Sequence, residues 1–178
     1  PTEGEIEDGM LPGPLEPPVF ETDFGRIGIQ ICFDIHWPEG WRRLGEKGAE
    51  LVFWPSAFAG GRMLNAQAWM NRYCVVSSTQ KDEVKICDIT GEELARSGRW
   101  QRWGVSVPVN LEKVLIHTWP YVHRFGEIQA KYGRRLRIHT LHEEELTLIE
   151  SLSPEVEVAA VVREFGLPSH RERINIAT

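Results

Sequence analysis

Cysteine is scarce in this chain. Only Cys32, Cys74 and Cys87 occur in 178 residues, too few and too irregularly spaced for a disulfide framework or a zinc site. They read as reduced thiols. Long apolar runs are missing as well: no stretch approaches the ~20 residues that cross a bilayer. The opening PTEGEIEDG has neither the basic nor the apolar segment of a secretory signal, so the expectation is a soluble, cytoplasmic protein with no membrane partner. Basic excess is also missing. Lys and Arg number 20 against 26 Asp and Glu, a net charge of −6, and a phosphate-backbone binder needs a clustered basic face. No nucleic-acid partner is expected, and no internal repeat or low-complexity segment occurs. A composition 42% hydrophobic and 26% charged is that of an ordinary globular chain.

Residues 1–18 carry five prolines and four glutamates without a sustained period and read as an irregular surface loop. The chain opens on proline in loop-like surroundings, as a fragment of a longer protein would. From Val19, VFETDFGRIGIQICFD reads as two strands joined at Asp23-Phe24-Gly25-Arg26, with Ile27, Ile29 and Ile31 alternating on one face. Cys32 then closes the second strand. Pro38 suits the first turn of a helix that runs through Trp41 and Leu44 to a stop at Gly48. ELVFWPSA and YCVVSST read as strands buried on both faces, with a helix over 63–72 between them. This alternation predicts an α/β fold.

Beyond Glu83 the pattern shortens. VKICDITGEELARSG turns at Thr90-Gly91, and WGVSVPVN and KVLIHTW follow as further antiparallel strands of the same sheet. The tail reads as mainly helical. One helix covers 121–132 and ends at Gly133; another starts with Ser153 as N-cap and Pro154 at its first position and ends at Gly166. The expected domains are 1–118, and 119–178 as a helical extension packed on the first or at a subunit interface.

Three residue groups invite chemistry. Cys74 and Cys87 sit inside apolar strand patterns and read as small core hydrophobes. Cys32 sits where a strand gives way to a helix, a junction that lifts a side chain out of the sheet and brings backbone N–H groups and a helix dipole near it. The pattern by itself leaves a buried thiol and a displayed nucleophile both open. His139-x-x-His142, beside Glu143, Glu144 and Glu145, lacks a third ligand at metal spacing, so a solvated acidic helix face is the preferred reading and no metal is expected. EVAAVVREFGLPSHRER has the cadence of a helix-turn-helix, but its acidic flanks favour an amphipathic tail helix.

FETDFGRIGIQICFD, WPEGWRRLGEKGAELVFWPSAF and AQAWMNRYCVVSST, in that order and spacing, resemble the second half of a nitrilase-superfamily carbon–nitrogen hydrolase. The resemblance covers residues 1–118. It implies the second half of a four-layer α-β-β-α sandwich, no cofactor, and a glutamate–lysine–cysteine catalytic set. By this similarity Cys32 is the nucleophile that forms an acyl-thioenzyme, and the backbone N–H of Phe33 helps hold the oxyanion. The family's base glutamate and lysine lie upstream of Pro1, and neither Lys47, Lys81 nor Lys85 stands in for the latter, so the chain alone is expected to be catalytically incomplete. A second family glutamate, in the loop before the nucleophile strand, maps to Glu5, with Glu7 as rival and a solvated acidic loop as the plain alternative.

Cys32-Phe33-Asp34 is similar to the amidase and N-carbamoyl-hydrolysing branches rather than to true nitrilases. Some N-carbamoyl-amino-acid hydrolases place two arginines after this tripeptide; here Ile35-His36 stand there, and His36 supplies one donor without a bidentate clamp. A small carboxamide or N-carbamoyl substrate is implied, with Trp54 and Phe58 either lining the pocket or packing in the core. Asp34 reads as a turn former that caps the following helix, and Glu39 as a first-turn acid. The resemblance also implies a homo-oligomer at full length. The competing reading is a non-catalytic binding or assembly module with an inert Cys32.

Overall fold

The computed structural model describes residues 1–81, 83–98 and 104–177. It divides into two compact units, Pro1–Val109 and Asn110–Thr178, a break that falls ahead of the expected boundary after residue 118. The architecture is mixed α/β.

In the first unit six strands, β1 (Val19–Thr22), β2 (Gly25–Ile29), β3 (Leu51–Ser56), β4 (Cys74–Thr79), β5 (Lys85–Cys87) and β6 (Glu93–Arg96), lie side by side in chain order. β2, β3 and β4 are parallel, and the other pairs are antiparallel. Parallel neighbours need long crossovers, and two helices supply them: α2 (Pro38–Glu46) and α3 (Arg62–Asn71). Both pack on one face. Val52, Trp54, Val75 and Cys87 from alternate strand positions join Trp41, Leu44, Leu64 and Ala68 in one buried cluster. Gly28 faces α2, and a Cβ there would stand 2.7 Å from Leu44; only glycine lets the helix come this close.

Strand alternation sends Phe20, Ile27, Ile29, Phe53 and Val76 to the opposite face. Phe20 is 46% and Ile29 42% exposed. The stretch before the sheet holds a short helix, α1 (Glu3–Glu7), where an irregular loop was expected. Its signal is Thr2-x-x-Glu5, a capping box in which Thr2 and Glu5 satisfy each other's backbone N–H groups.

In the second unit β7 (Lys113–His117), β8 (Leu136–Leu141) and β9 (Leu146–Ser151) form a separate antiparallel sheet in the order β7-β9-β8. Around it are α4 (Val122–Tyr132), α5 (Val158–Phe165) and α6 (His170–Ala177). Three expectations change here. KVLIHTW is a strand, but it pairs with β9 rather than extending the first sheet, because its partner run, LTLIES, comes later in the chain and is buried at every position. His139 lies on β8 and His142 in the turn after it, not on a helix; the flanking apolar residues Leu136 and Ile138 follow a period of two. α5 starts at Val158, since Ser153 and Pro154 are spent on a turn closed by Val156 N–H on the Ser153 carbonyl. Residues 104–110 form no strand, and Pro108 could donate nothing to a ladder; Trp103 lies outside the described residues. Among the described residues no helix is long and apolar enough to cross a membrane.

Candidate active site

Cys32 is not the last residue of its strand. β2 ends at Ile29, the Gln30 N–H adds one more bond to the Phe53 carbonyl, and Cys32 opens a 3-10 turn, Cys32–His36. Its φ is +48°, a left-handed backbone that costs a residue with a Cβ about 1–3 kcal/mol. Such a conformation persists only where its surroundings over-determine it.

Three elements do so. The indole N–H of Trp54, on β3, donates to the Cys32 carbonyl at 2.9 Å. That of Trp41, on α2, donates to the Asp34 carbonyl at 3.0 Å. The Gln67 amide, on α3, donates to the Ile35 carbonyl at 3.4 Å. Asp34 tightens the turn from inside, its carboxylate accepting the Ile31 N–H at 2.9 Å. Asp34 is therefore a turn former as expected, but it caps no helix: the N-cap of α2 is Trp37, which makes no side-chain cap bond. The Asp34 carbonyl also accepts the Trp37 N–H at 3.0 Å, so the Trp41 indole adds a second bond to it, and the other three groups pair backbone atoms of the tight turn.

Cys32 itself is half-buried. Its sulfur accepts from the Ser56 hydroxyl at 3.4 Å, and that hydroxyl accepts the Phe58 N–H at 3.1 Å. Around this point stands an aromatic group. Phe33 packs on His36 with ring centroids 4.5 Å apart and on Trp37 at 5.6 Å. His36 stacks on Phe58 at 6.3 Å, and Phe58 meets Trp54 edge-on at 5.2 Å. Phe33 and Trp37 are 43% and 51% exposed, which leaves an apolar rim beside the thiol.

The structure thus brings together Cys32, Phe33, His36, Trp54 and Phe58. Trp54 is fully buried, so it supports the turn from beneath instead of lining a pocket. Gly60 makes room for it: at a φ of +70°, a Cβ there would stand 2.8 Å from the Trp54 ring. Glu5 is placed differently. It is exposed on α1, and the Thr2 N–H and hydroxyl hold its carboxyl below the usual carboxylate range. Glu39 pairs with Arg42 and Arg43 on α2, and its carboxyl is lowered chiefly by the Arg42 guanidinium.

Sequence reasoning missed Trp41, Gln67 and Trp37; by the resemblance Ser56 falls with Trp54 and Pro55 at a strand end beside the pocket, but its contact with Cys32 was not foreseen. For Ser56 a signal existed: period-two alternation along β3 puts it on the face of Trp54. Among the described residues no group of three or more His, Cys, Asp or Glu is placed to hold a metal ion.

The sequence profile of the family described as carbon-nitrogen hydrolase matches residues 6–107, which enclose this whole arrangement. The chain belongs to the carbon-nitrogen hydrolase family. Among curated relatives, this member of the family is 35% identical over 79 residues to a deaminated glutathione amidase of Synechocystis sp. (strain PCC 6803 / GT-S), covering 40% of the chain and 29% of the relative. It is 48% identical over 50 residues to the beta-ureidopropionase of Arabidopsis thaliana, covering 28% and 12%. It therefore aligns with less than a third of the length of these relatives. Among solved structures it is similar to an amidase from Nesterenkonia sp., at 25% identity and a TM-score of 0.48 over 53% of this chain and 41% of that one.

Proposed function

We propose that this chain carries the nucleophile of a thiol amidohydrolase acting on a small carboxamide or N-carbamoyl compound. The Cys32 sulfur adds to the amide-type carbon, the C–N bond breaks with release of ammonia or an amine that takes up a proton, and water then cleaves the thioester to the acid. The Phe33 N–H, next along the turn, is the backbone donor to the developing oxyanion. The base glutamate and the lysine belong to the family's upstream segment. Glu5 is the candidate for the additional loop carboxylate, a role for which its side chain must leave Thr2. Phe33, His36 and Phe58 form the substrate wall, with the His36 ring as a donor to a polar or carboxylate end.

One observation carries this reading: a half-buried cysteine held at positive φ by indole and amide donors from three separate elements, its sulfur in contact with a hydroxyl. A core thiol needs none of this. The names of the relatives, an amidase and a ureidopropionase, support a choice between plain amide and ureido substrates without deciding it. The apolar sheet face bearing Phe20, Ile29 and Phe53 supports the four-layer sandwich, in which a second sheet covers it.

The test is ammonia release by the complete gene product and its Cys32→Ala variant on a panel of small carboxamides and N-carbamoyl amino acids. Activity that falls to background with Cys32→Ala supports the reading. Activity that survives the substitution overturns it in favour of a binding module.

A further inference from the structure

We propose that Ser56 is a second catalytic group of this site, its hydroxyl holding the Cys32 sulfur as the thiolate that attacks. The proposal rests on Cys32 being the nucleophile.

The hydroxyl is placed to donate once the sulfur is ionised, because a thiolate has no proton to give. A serine oxygen has one proton and two lone pairs. Here one lone pair takes the Phe58 N–H at 3.1 Å, which leaves the hydroxyl proton free to donate to Cys32 Sγ, 3.4 Å away. A neutral thiol is a weak acceptor and a thiolate a strong one, so a fixed donor at this position favours the ionised form. The Phe58 N–H restricts the donor in turn, because it takes one of the directions to which the hydroxyl proton could rotate.

The same strand sets both ends of the nucleophile. Trp54 and Ser56 are alternate residues of β3, on one face. Trp54 binds the Cys32 carbonyl and Ser56 binds its sulfur, so β3 fixes Cys32 at two atoms without contributing a charge. The turn itself brings two titratable groups: Asp34, whose carboxylate accepts the Ile31 N–H, and His36, whose ring stacks on Phe58. From α3 the neighbour is the neutral Gln67.

The experiment is alkylation of Cys32 by iodoacetamide in this chain, followed peptide by peptide by mass spectrometry from about pH 5 to about pH 10. It compares the unaltered chain with Ser56→Ala, Ser56→Thr and His36→Gln. In Ser56→Ala the pH of half-maximal rate should rise by about one unit. The rate at high pH should be equal or greater, since a less stabilised thiolate is more nucleophilic. A purely structural defect would lower that plateau instead. Ser56→Thr keeps the original midpoint, and Ser56→Ala made in the His36→Gln background raises the midpoint as it does alone. If Ser56→Ala loses its native circular dichroism, Ser56→Gly takes its place as the hydroxyl deletion. A hydroxyl-free variant with native circular dichroism and an unchanged midpoint overturns the role of Ser56 while leaving Cys32 as nucleophile. An unaltered chain in which Cys32 fails to react at any pH overturns the nucleophile reading, and this proposal with it.

Discussion

The Trp54 indole reaches across from β3 to the Cys32 carbonyl at 2.9 Å, which ties the strained residue of the site to the centre of the hydrophobic core. Trp54 has no exposed surface, so one side chain serves core packing and site geometry together. Replacing it with phenylalanine keeps an aromatic ring and removes the donor. The expected cost is about 1–3 kcal/mol in urea denaturation, with slower alkylation of Cys32 because the turn is free to relax. Unchanged stability together with unchanged alkylation would show that the indole bond does not hold the turn.

Gly60 gives a second handle on the same contact. A Cβ at its φ of +70° would meet both Trp54 and Leu64 at 3.0 Å or less. Gly60→Ala should therefore combine backbone strain with displacement of the indole and destabilise the chain by about 1–3 kcal/mol. Near-ultraviolet circular dichroism, which reports tryptophan packing, should change with it. An alanine variant with unaltered spectrum and midpoint would mean that the loop shifts freely.

Much of the first unit was legible because its signals are local. Asp23-Phe24 between two alternating runs marks a hairpin turn, Pro38 marks the first helical position, and Gly91 marks the β5–β6 turn at a φ of +78°. The second unit was harder. KVLIHTW shows that it is a strand but not which strand it pairs with, since pairing across more than thirty residues is settled by burial of β9, a tertiary event. The spacing of His139 and His142 mimicked a helix because three residues also span the end of a strand and the start of a turn. In the site, the candidates Cys32, Phe33, His36 and Phe58 came from the chain order of motifs. The carbonyl donors Trp41 and Gln67 could not be read, because their targets exist only once the turn has formed.

Lys85 and Glu93 give a pH dependence with a definite sign. The Lys85 ammonium, almost enclosed, donates to Glu93 at 2.6 Å, to Asn65 at 2.9 Å and to the Gly61 carbonyl at 3.1 Å. That bond is the main reason the Glu93 carboxyl lies below its ordinary value of 4.5. A carboxyl lowered by folding contributes stability that is fully present above its unfolded value and is lost as pH falls through its folded value. Stability should thus decline below about pH 4.5, and Glu93→Gln should flatten this acid limb while lowering stability at neutral pH. Parallel acid limbs in the two proteins would remove Glu93 from the account.

The other two cysteines serve as internal controls. Burial pushes the Cys87 thiol up to about 11, and Cys74 is fully enclosed with its sulfur 3.5 Å from Asp88. Both should resist iodoacetamide at neutral pH in the folded chain, where Cys32 reacts, and all three should react in urea. Labelling of Cys74 or Cys87 as fast as Cys32 without denaturant would mean that the first unit opens readily.

The sheet face turned away from α2 and α3 predicts how this chain behaves alone. Ile29 and Phe53 are paired neighbours on that face, with Phe20 beside them one strand over, and Phe20 and Ile29 remain substantially exposed. A contiguous apolar patch in water is a driving force for association, and among the described residues no further strand pairs with β1 or β6 at the two ends of the sheet, where an edge can recruit another strand. The chain should therefore elute ahead of its monomer position in size-exclusion chromatography and precipitate as concentration rises. Ile29→Lys places a charge in the middle of the patch and should shift the elution toward monomer without loss of secondary structure. A Lys substitution on an edge strand, Leu94→Lys, separates the two causes: if it alone restores the monomer, the open edge and not the apolar face drives association. A chain that is monomeric at all concentrations without either change would mean that this face needs no cover, and the four-layer arrangement would lose its main support.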